Sequence, residues 1–271
     1  MKLKKEQKNR IQEEIKKILE SRIESFPDIS SKNRNAPFHD VILECFKDQL
    51  KEFNIETPRL IAIASWMHGL STSLGSGFEN IAHILSGGYK RKFTGSFALK
   101  IKQNQSIAIE EIIRKLKSSE INPSIENENI QIFKYSKIDK DIESLGFTAD
   151  VFIEKKNEII AIEMKSVRPN SGEGRGEKQK ILYGKSALKL LYPNHKIKFF
   201  IGFPFDPTSN EPTKYDKKRF FNYLIEFKKF FAEDEVLIAD ELWDYLSGSK
   251  NTMDQILEII KETIKIINIK K

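Results

Sequence analysis

The sequence predicts a mixed α/β (α+β) protein, in which a mixed β-sheet is flanked by helices and preceded by a helical N-terminal region. Two observations support this fold class. Apolar residues recur at helical spacing in the first part of the chain, whereas the middle part contains short β-branched segments separated by turns. Such an order places helices on the faces of a sheet. We therefore expect one domain over residues 1–271, with a helical N-terminal region (1–60), a core (61–203) and a mainly helical C-terminal region (204–271).

The N-terminal elements are predicted from their apolar spacing. Residues 1–25 and 38–53 carry amphipathic helical patterns, with a break that contains proline and asparagine between them. A further helix begins near Pro58, because proline is tolerated in a first helical turn. The glycine-rich run Gly69–Gly77 should interrupt this helix, before another helix forms over residues 78–85.

Strand and helix signals alternate further along the chain. Residues 130–135 alternate in polarity like a strand. Residues 150–154 and 159–165 are short and β-branched, with charged turn residues between them, which predicts a hairpin. The remaining predicted elements are a polar loop (169–176), a helix to about residue 191, a strand (196–203), a helix (215–231), a short strand (236–239) and a terminal helix (252–269).

The composition limits the classes of protein that fit. Hydrophobic residues make up 39% of the chain and charged residues 31%, and no apolar run reaches about 18 residues, so no membrane span is expected. The first residues lack an apolar signal-peptide core and Cys45 is the single cysteine, so we expect a cytoplasmic location and no disulfide framework. No glycine-rich phosphate loop of the form Gly-x4-Gly-Lys-Ser/Thr is present, so no nucleotide cofactor is expected. The net charge of +7 suits a polyanionic partner.

One group of residues has the chemistry expected for phosphodiester hydrolysis. Asp150 begins the first strand of the predicted hairpin, and Glu163 and Lys165 end the second strand, where alternation puts both side chains on one face. If the strands pair, the two carboxylates and the Met164 carbonyl can share one or two Mg²⁺ ions. Lys165 can then orient the attacking water or stabilise developing charge. Other acid-x-Lys triplets lie on predicted helices or turns, and an ordinary strand end with solvated charges is the alternative interpretation of this one.

Two further residues are candidates for the same site. Gln179 shares a face of the following helix with Tyr183, so it could hold a water or a phosphate. Glu79 lies on the polar side of a short predicted helix and could bring another carboxylate to the metal. The alternatives are a surface glutamine above a packed tyrosine and an ordinary helical glutamate.

Residues that follow the second strand of the hairpin, and a hydroxyl-rich segment earlier in the chain, are candidates for contact with DNA. They are Arg168, Asn170, Ser171, Arg175, Lys178 and Lys180 after the strand, and Ser71, Thr72 and Ser73 at a predicted helix start. The arginines could pair with guanine edges and the lysines could contact phosphates, and a mobile surface loop without a role in binding is the alternative. The hydroxyl groups could donate to phosphates or simply cap the helix. The basic cluster Lys90–Lys92 is interpreted more simply as a solvated charge run.

Several blocks of sequence, in the same order, resemble the TdeIII family of Type II restriction endonucleases. These blocks are Ser71–Ala82, Ala149–Glu154 and Ile162–Glu173, and Phe38 with the histidine after it resembles the N-terminal part of the family. The similarity spans roughly residues 38–191. Several separate blocks are much more specific than a single triplet.

The resemblance implies a restriction-endonuclease-like fold of the PD-(D/E)xK class. It also implies Mg²⁺-dependent cleavage of double-stranded DNA at a short palindromic target of the GGNCC type. It makes Asp150, Glu163 and Lys165 the catalytic set, with Glu79 as an additional acid. Ala149 stands where the class name has proline, a position that only shapes the backbone.

A palindromic target predicts a homodimer, because each subunit would cut one strand and leave a 5′-phosphate and a 3′-hydroxyl. The compartment would then be the prokaryotic cytoplasm. Two alternatives stay open at the level of sequence. A repair nuclease or junction resolvase would share the active-site chemistry, and a catalytically inactive module would bind DNA without cutting it.

Overall fold

The computed structural model describes four stretches of the chain, which are residues 2–27, 37–93, 99–165 and 171–269. The chain divides into two compact units, Met1–Gln7 with Glu79–Leu257 and Lys8–Phe78 with Glu258–Lys271. All strands of the described residues lie in the first unit. Within the same residues, no helix is long and apolar enough to cross a membrane. The division of the chain into one nuclease domain stays a prediction.

The predicted fold class is confirmed by the elements of the described residues. The helices are α1 (Lys5–Glu24), α2 (Pro37–Glu44), α3 (Lys47–Glu52), α4 (Thr57–Ser86), α5 (Gln103–Lys117), α6 (Ile125–Ile132), α7 (Ser171–Leu191), α8 (Lys217–Tyr223), α9 (Ile225–Lys228), α10 (Asp240–Ser247) and α11 (Thr252–Ile269). The strands are β1 (Tyr89–Lys92), β2 (Lys100–Lys102), β3 (Asp141–Glu143), β4 (Ala149–Lys155), β5 (Glu158–Met164), β6 (Lys196–Phe203) and β7 (Val236–Ile238).

The first unit contains a five-stranded mixed sheet, in the order β1-β4-β5-β6-β7 for the residues described. Strands β1, β4 and β5 are antiparallel neighbours, whereas β5, β6 and β7 run parallel. The predicted hairpin is confirmed, with Val151 opposite Ile162. The central strand β5 is an almost continuous apolar run, and its residues 159–162 are fully buried.

Helix α7 connects β5 to β6, as a parallel pair of strands requires a long crossover. Its apolar face is buried through Ile181, Leu182 and Leu188. Gly184 allows the close approach, because a Cβ atom there would lie 3.0 Å from the ring of Phe199 on β6. The crossover therefore holds α7 against the strand next to β5, which brings residues of the first turns of α7 to the hairpin of β4 and β5.

The glycine-rich segment of α4 does not interrupt the helix, so the predicted break at Gly69–Gly77 is wrong. In the second unit, a Cβ atom at Gly77 would collide with the Ile18 side chain, and one at Gly69 would lie 2.5 Å from the Arg22 guanidinium. These two glycines therefore serve close packing between α1 and α4. Packing of this kind stabilises the helix enough to outweigh the unfavourable helix propensity of glycine, about 1 kcal/mol each.

Two other predicted elements differ from the structure. Residues 130–135 are not a strand, because α6 begins after Ser124, whose hydroxyl accepts the Asn127 N–H at 3.3 Å and caps the helix. The predicted helix over residues 215–231 is divided at Leu224 into α8 and α9. In the first region the Ser124 cap starts a helix despite the alternation of polarity. In the second region the backbone leaves the helical conformation at Leu224 despite the helical spacing of apolar residues.

Candidate active site

The hairpin brings the two predicted carboxylates to one end of the sheet. Val151 pairs with Ile162, so one position further along the strands Asp150 lies across from Glu163, on the same face. The Asp150 Oδ2 atom accepts a hydrogen bond of 2.7 Å from the Met164 N–H. The Glu163 side chain is only 18% exposed. Two acidic groups therefore share a largely buried position.

Lys165 lies directly beyond the end of β5 and faces the same carboxylates. Its N–H donates to the Gly202 carbonyl of β6 at 2.9 Å, which continues the parallel pairing of the strands. Its Nζ atom lies 3.0 Å from Glu163 Oε1 and 3.1 Å from Glu177 Oε1. The predicted placement of Glu163 and Lys165 on one face is confirmed by this contact.

The pKa values indicate that negative charge in the site is only partly compensated. Burial raises the pKa of Glu163 to about 7, and the negative charge of Asp150 adds to this effect while Lys165 opposes it. Burial also raises the pKa of Asp150, against the opposing effect of the Met164 N–H. For Lys165, burial favours the neutral form, but the two adjacent carboxylates outweigh it and raise its pKa. A cation would relieve the repulsion between the two acids.

Glu177 is a site residue that the sequence analysis missed. It lies near the start of α7, its side chain is 8% exposed, and it contacts both Lys165 and Lys180, the latter at 2.9 Å. Glu163, Glu177 and Lys180 line one cleft of about 280 Å³ together with aromatic side chains. The available signal was its spacing of four residues before the apolar Ile181, which places Glu177 on the inward face of the helix.

Glu79 and Gln179 make their described contacts outside this carboxylate pair. Glu79 Oε2 accepts hydrogen bonds from Arg91 on β1, and the Gln179 amide donates to Glu110 Oε1 on α5 at 2.8 Å. The Tyr183 hydroxyl also contacts Glu110, at 3.1 Å, so the shared helix face of Gln179 and Tyr183 is confirmed but packs towards α5. A role of Glu79 or Gln179 in the reaction stays a prediction.

The structure corrects the prediction that Lys178 contacts a phosphate. Its side chain is 0% exposed, and its Nζ atom lies 2.6 Å from Glu128 Oε2 and 2.7 Å from Glu235 Oε1. A DNA backbone cannot reach this buried ammonium. Lys180, two residues on, is 44% exposed and stays a candidate for phosphate contact.

The other candidates for DNA contact are placed differently from one another. Ser71, Thr72 and Ser73 lie inside α4 rather than at a helix start, and their hydroxyls donate to carbonyls four residues earlier, so the prediction of a helix-start anion site is wrong. Arg175 is exposed but lies on α7 and not in a loop. Outside the described residues lie Arg168, Asn170 and the side chain of Ser171.

The donor set of the hairpin fits a magnesium ion. In the part of the chain that the structure describes, no group of three or more Asp, Glu, His or Cys side chains is arranged to hold a metal. Mg²⁺ is commonly bound through one or two carboxylates, with waters and substrate phosphate oxygens as the other ligands. Asp150 and Glu163 provide two carboxylates of this kind, and their mutual repulsion, which Lys165 offsets only in part, favours a cation.

Comparisons with known proteins identify the type of enzyme that this chain resembles. Residues 3–264 match the family described as "Type II restriction endonuclease, HinfI". The chain is also 48% identical over 254 residues to the Type II restriction enzyme MjaII of Methanocaldococcus jannaschii, a match that covers 92% of this chain and 68% of the relative. The class expected from the resemblance, Type II restriction endonucleases, is thus confirmed, and the family that matches is of the HinfI type.

Proposed function

Because the chain belongs to the HinfI family of Type II restriction endonucleases, we propose that it cleaves double-stranded DNA at a short palindromic site by Mg²⁺-dependent hydrolysis. The observation that carries this proposal is the pair of buried carboxylates, Asp150 and Glu163, beside Lys165 at one end of the sheet. This arrangement supports assignment to the PD-(D/E)xK class of nucleases. Enzymes of the Type II class depend in general on a divalent metal.

Each residue of the site has a proposed task. Asp150, Glu163 and the Met164 carbonyl would hold the ion, and Glu79 stays a candidate for a further acidic ligand. Bound Mg²⁺ would neutralise charge on the scissile phosphate and lower the pKa of a water. The Lys165 ammonium, whose backbone N–H pairs with the Gly202 carbonyl and whose Nζ atom contacts Glu163 and Glu177, would stabilise negative charge that develops at phosphorus. The expected products carry a 5′-phosphate and a 3′-hydroxyl.

Residues around the cleft are proposed to bind the DNA. Arg175 is exposed on α7, and Lys180 is partly exposed there and lines the cleft with Glu163. The predicted contacts of Arg168, Asn170 and Ser171 with bases or backbone are retained as part of this proposal, and so is a role of Gln179. The GGNCC target rests on the resemblance of the sequence blocks to the TdeIII family. Two copies of the chain are proposed to act together, because a palindrome presents the same half-site twice.

Digestion of a sequenced plasmid by purified protein in Mg²⁺ tests the proposed function. We expect discrete fragments whose ends map to one short palindrome and accept ligation directly, as 5′-phosphates do. Asp150→Ala should yield none, whereas Asp141→Ala, an exposed aspartate on β3, should cut like the wild type. Cleavage by Asp150→Ala at the wild-type rate would contradict the site assignment, and random degradation would contradict the sequence specificity.

A further inference from the structure

Strand β1 carries three consecutive basic residues beside the strand that bears Asp150. It is an edge strand of the sheet, and its only described strand neighbour is β4. Lys90 pairs with Val151 and Lys92 with Ala149, so Arg91 lies between these two pairs, at the level of Asp150. Arg91 has a backbone φ of +49°, in the left-handed region that non-glycine residues rarely adopt. The regular alternation of side chains is therefore broken at the position next to the proposed metal site.

Helix α4 holds two of these basic side chains with two consecutive residues. The Glu79 Oε2 atom accepts hydrogen bonds from Arg91 Nε at 3.2 Å and from Arg91 Nη2 at 2.9 Å. The Lys90 ammonium donates to Asn80 Oδ1. Glu79 is 18% exposed, whereas the Arg91 side chain is 53% exposed. A mostly buried carboxylate thus fixes a guanidinium that remains accessible to solvent.

The chemistry of this pair suits the binding of a phosphate better than stabilisation of the fold. The guanidinium of this ion pair is half exposed, so water screens its interaction with Glu79 and a phosphate can approach it. A guanidinium is a planar group with five N–H donors, and it binds phosphate oxygens in a bidentate manner. Arg91 and Asp150 are also close enough that the charge of each affects the pKa of the other. A DNA strand whose scissile phosphate lies at Asp150 would pass beside Arg91.

We propose that Arg91 binds a backbone phosphate next to the scissile bond, and that Glu79 is the positioning residue that orients its guanidinium. This inference rests on the proposed cleavage of DNA. It gives a task to the basic cluster that the sequence analysis interpreted as a solvated charge run. It also differs from the prediction that Glu79 is a metal ligand. The two roles predict different effects of a Glu79 substitution on DNA binding in EDTA.

Binding to a short fluorescent DNA duplex in EDTA, followed by anisotropy over a range of salt concentrations, tests the role of Arg91. Arg91→Gln should weaken binding about tenfold and reduce the slope of log affinity against log salt by about 1. The matched control is Arg114→Gln on α5, because Arg114 is 56% exposed and is also paired with glutamates. This control should change affinity less than about twofold. Equal effects of the two substitutions would overturn the proposal.

Glu79→Gln separates the positioning role from metal binding. Loss of a carboxylate near a polyanion should strengthen DNA binding on charge alone, so weaker binding in EDTA would support the positioning role. That loss should also disappear in the Arg91→Gln background, since the two residues would act through one contact. Unchanged or tighter binding of Glu79→Gln, together with a higher Mg²⁺ requirement for cleavage, would overturn the positioning role.

The outcomes can be separated from those of the proposed function. Binding in EDTA needs no cleavage, so a wild type that cuts plasmid while Arg91→Gln binds like Arg114→Gln contradicts only this inference. A wild type that never cuts contradicts the proposed function, whatever the Arg91 data show. If Arg91→Gln fails to fold by circular dichroism, Arg91→Lys replaces it. This variant keeps the charge but loses the bidentate fork, so it should bind about threefold more weakly with an unchanged salt slope. Wild-type affinity of Arg91→Lys would then overturn the proposal.

Discussion

Two consecutive residues of α7, Glu177 and Lys178, belong to two different charged clusters. The clusters differ in their balance of negative and positive charge. The cleft cluster consists of Asp150, Glu163, Lys165 and Glu177, and the buried cluster consists of Glu128, Lys178 and Glu235, with the buried Lys185 as a second cation nearby. Glu177 contacts the first cluster, and Lys178 is the centre of the second. The cleft cluster has three acids and one lysine, and its Glu163 and Glu177 line the cleft. The buried cluster is closed to solvent, with side chains at most 2% exposed.

The pKa values of two glutamates show what this difference means. Burial is the largest cause of the raised pKa of both Glu163 and Glu128. The next cause differs in sign, because the negative charge of Asp150 raises the pKa of Glu163 further, whereas the positive charge of Lys178 lowers that of Glu128. The contact of Lys178 with Glu128 Oε2 pairs their charges without the geometry of a hydrogen bond. The buried cluster is compensated internally, and the cleft cluster retains repulsion that a cation can relieve.

The comparison predicts that matched Glu→Gln substitutions separate catalysis from stability. Glu163→Gln should lower the rate of plasmid cleavage at least about a thousandfold, because it removes a proposed metal ligand from the reacting centre. Glu128→Gln should leave the cleavage rate per folded molecule within about threefold and lower the unfolding midpoint instead. Initial rates at matched concentrations of folded protein give the result. A fall in cleavage of similar size in both variants would break the distinction.

Lys178→Met should cause the largest loss of stability among the charged residues of α7. It removes the ammonium that contacts both buried carboxylates, although the buried Lys185 still acts on them at longer range, and breaking a buried pair in this way costs about 3–5 kcal/mol. Lys180→Met on the same helix removes a partly exposed ammonium and should cost less than about 1 kcal/mol. Urea unfolding of both variants measures the free energies. Equal costs would show that the buried cluster does not stabilise the first unit.

A third prediction concerns the pH dependence of the metal-free protein. The pKa of Glu163 is raised from 4.5 to about 7 in the folded protein. Between these values the folded protein holds a proton that the unfolded chain has released, so the free energy of unfolding falls as the pH rises through this range. Glu163→Gln lacks this loss and should be up to about 3 kcal/mol more stable than wild type above pH ~8, but not near pH ~4.

Urea unfolding of the wild type and of Glu163→Gln, in EDTA and at both pH values, measures this difference in stability. Glu163→Gln is also the variant that we expect to be inactive. Addition of Mg²⁺ should then stabilise the wild type but not Glu163→Gln, because a ligand that binds the folded state raises its stability. A variant less stable than wild type at both pH values would show that Glu163 is not held against repulsion.

The hairpin and the carboxylate pair could be predicted because each depends on neighbours in sequence. Alternation fixes which face of β5 carries Glu163 and Lys165, and the short turn fixes the register that brings Asp150 opposite Glu163. The folded strand keeps this alternation because its apolar face must be buried, and a shift of register by one residue would turn that face to solvent. These three residues were therefore accessible from the sequence alone.

The features that could not be predicted depend on contacts between residues far apart in sequence. Lys178 has the pattern of an exposed helical lysine, and only the approach of Glu128 and Glu235 makes its burial favourable. Arg91 lies in a charge run whose left-handed backbone has no sequence signature. The glycines of α4 indicate a break in any local analysis, and Gly77 is explained only by the adjacent Ile18. Tertiary packing overrides local propensity at each of these positions.

The smallest expected effect concerns Glu177, which lies at the boundary of the two clusters. The Glu177 and Glu163 carboxylates both contact the Lys165 ammonium, and the Glu177 carboxylate also contacts Lys180. In Glu177→Gln, Lys165 would pair with Glu163 alone and compete more strongly with a cation for that carboxylate. We therefore expect about a tenfold higher Mg²⁺ concentration for half-maximal cleavage, with the rate at saturating Mg²⁺ changed less. Titration of cleavage with Mg²⁺ measures both quantities. A lower rate at saturating Mg²⁺ with an unchanged metal requirement would instead place Glu177 among the groups that act on the phosphate.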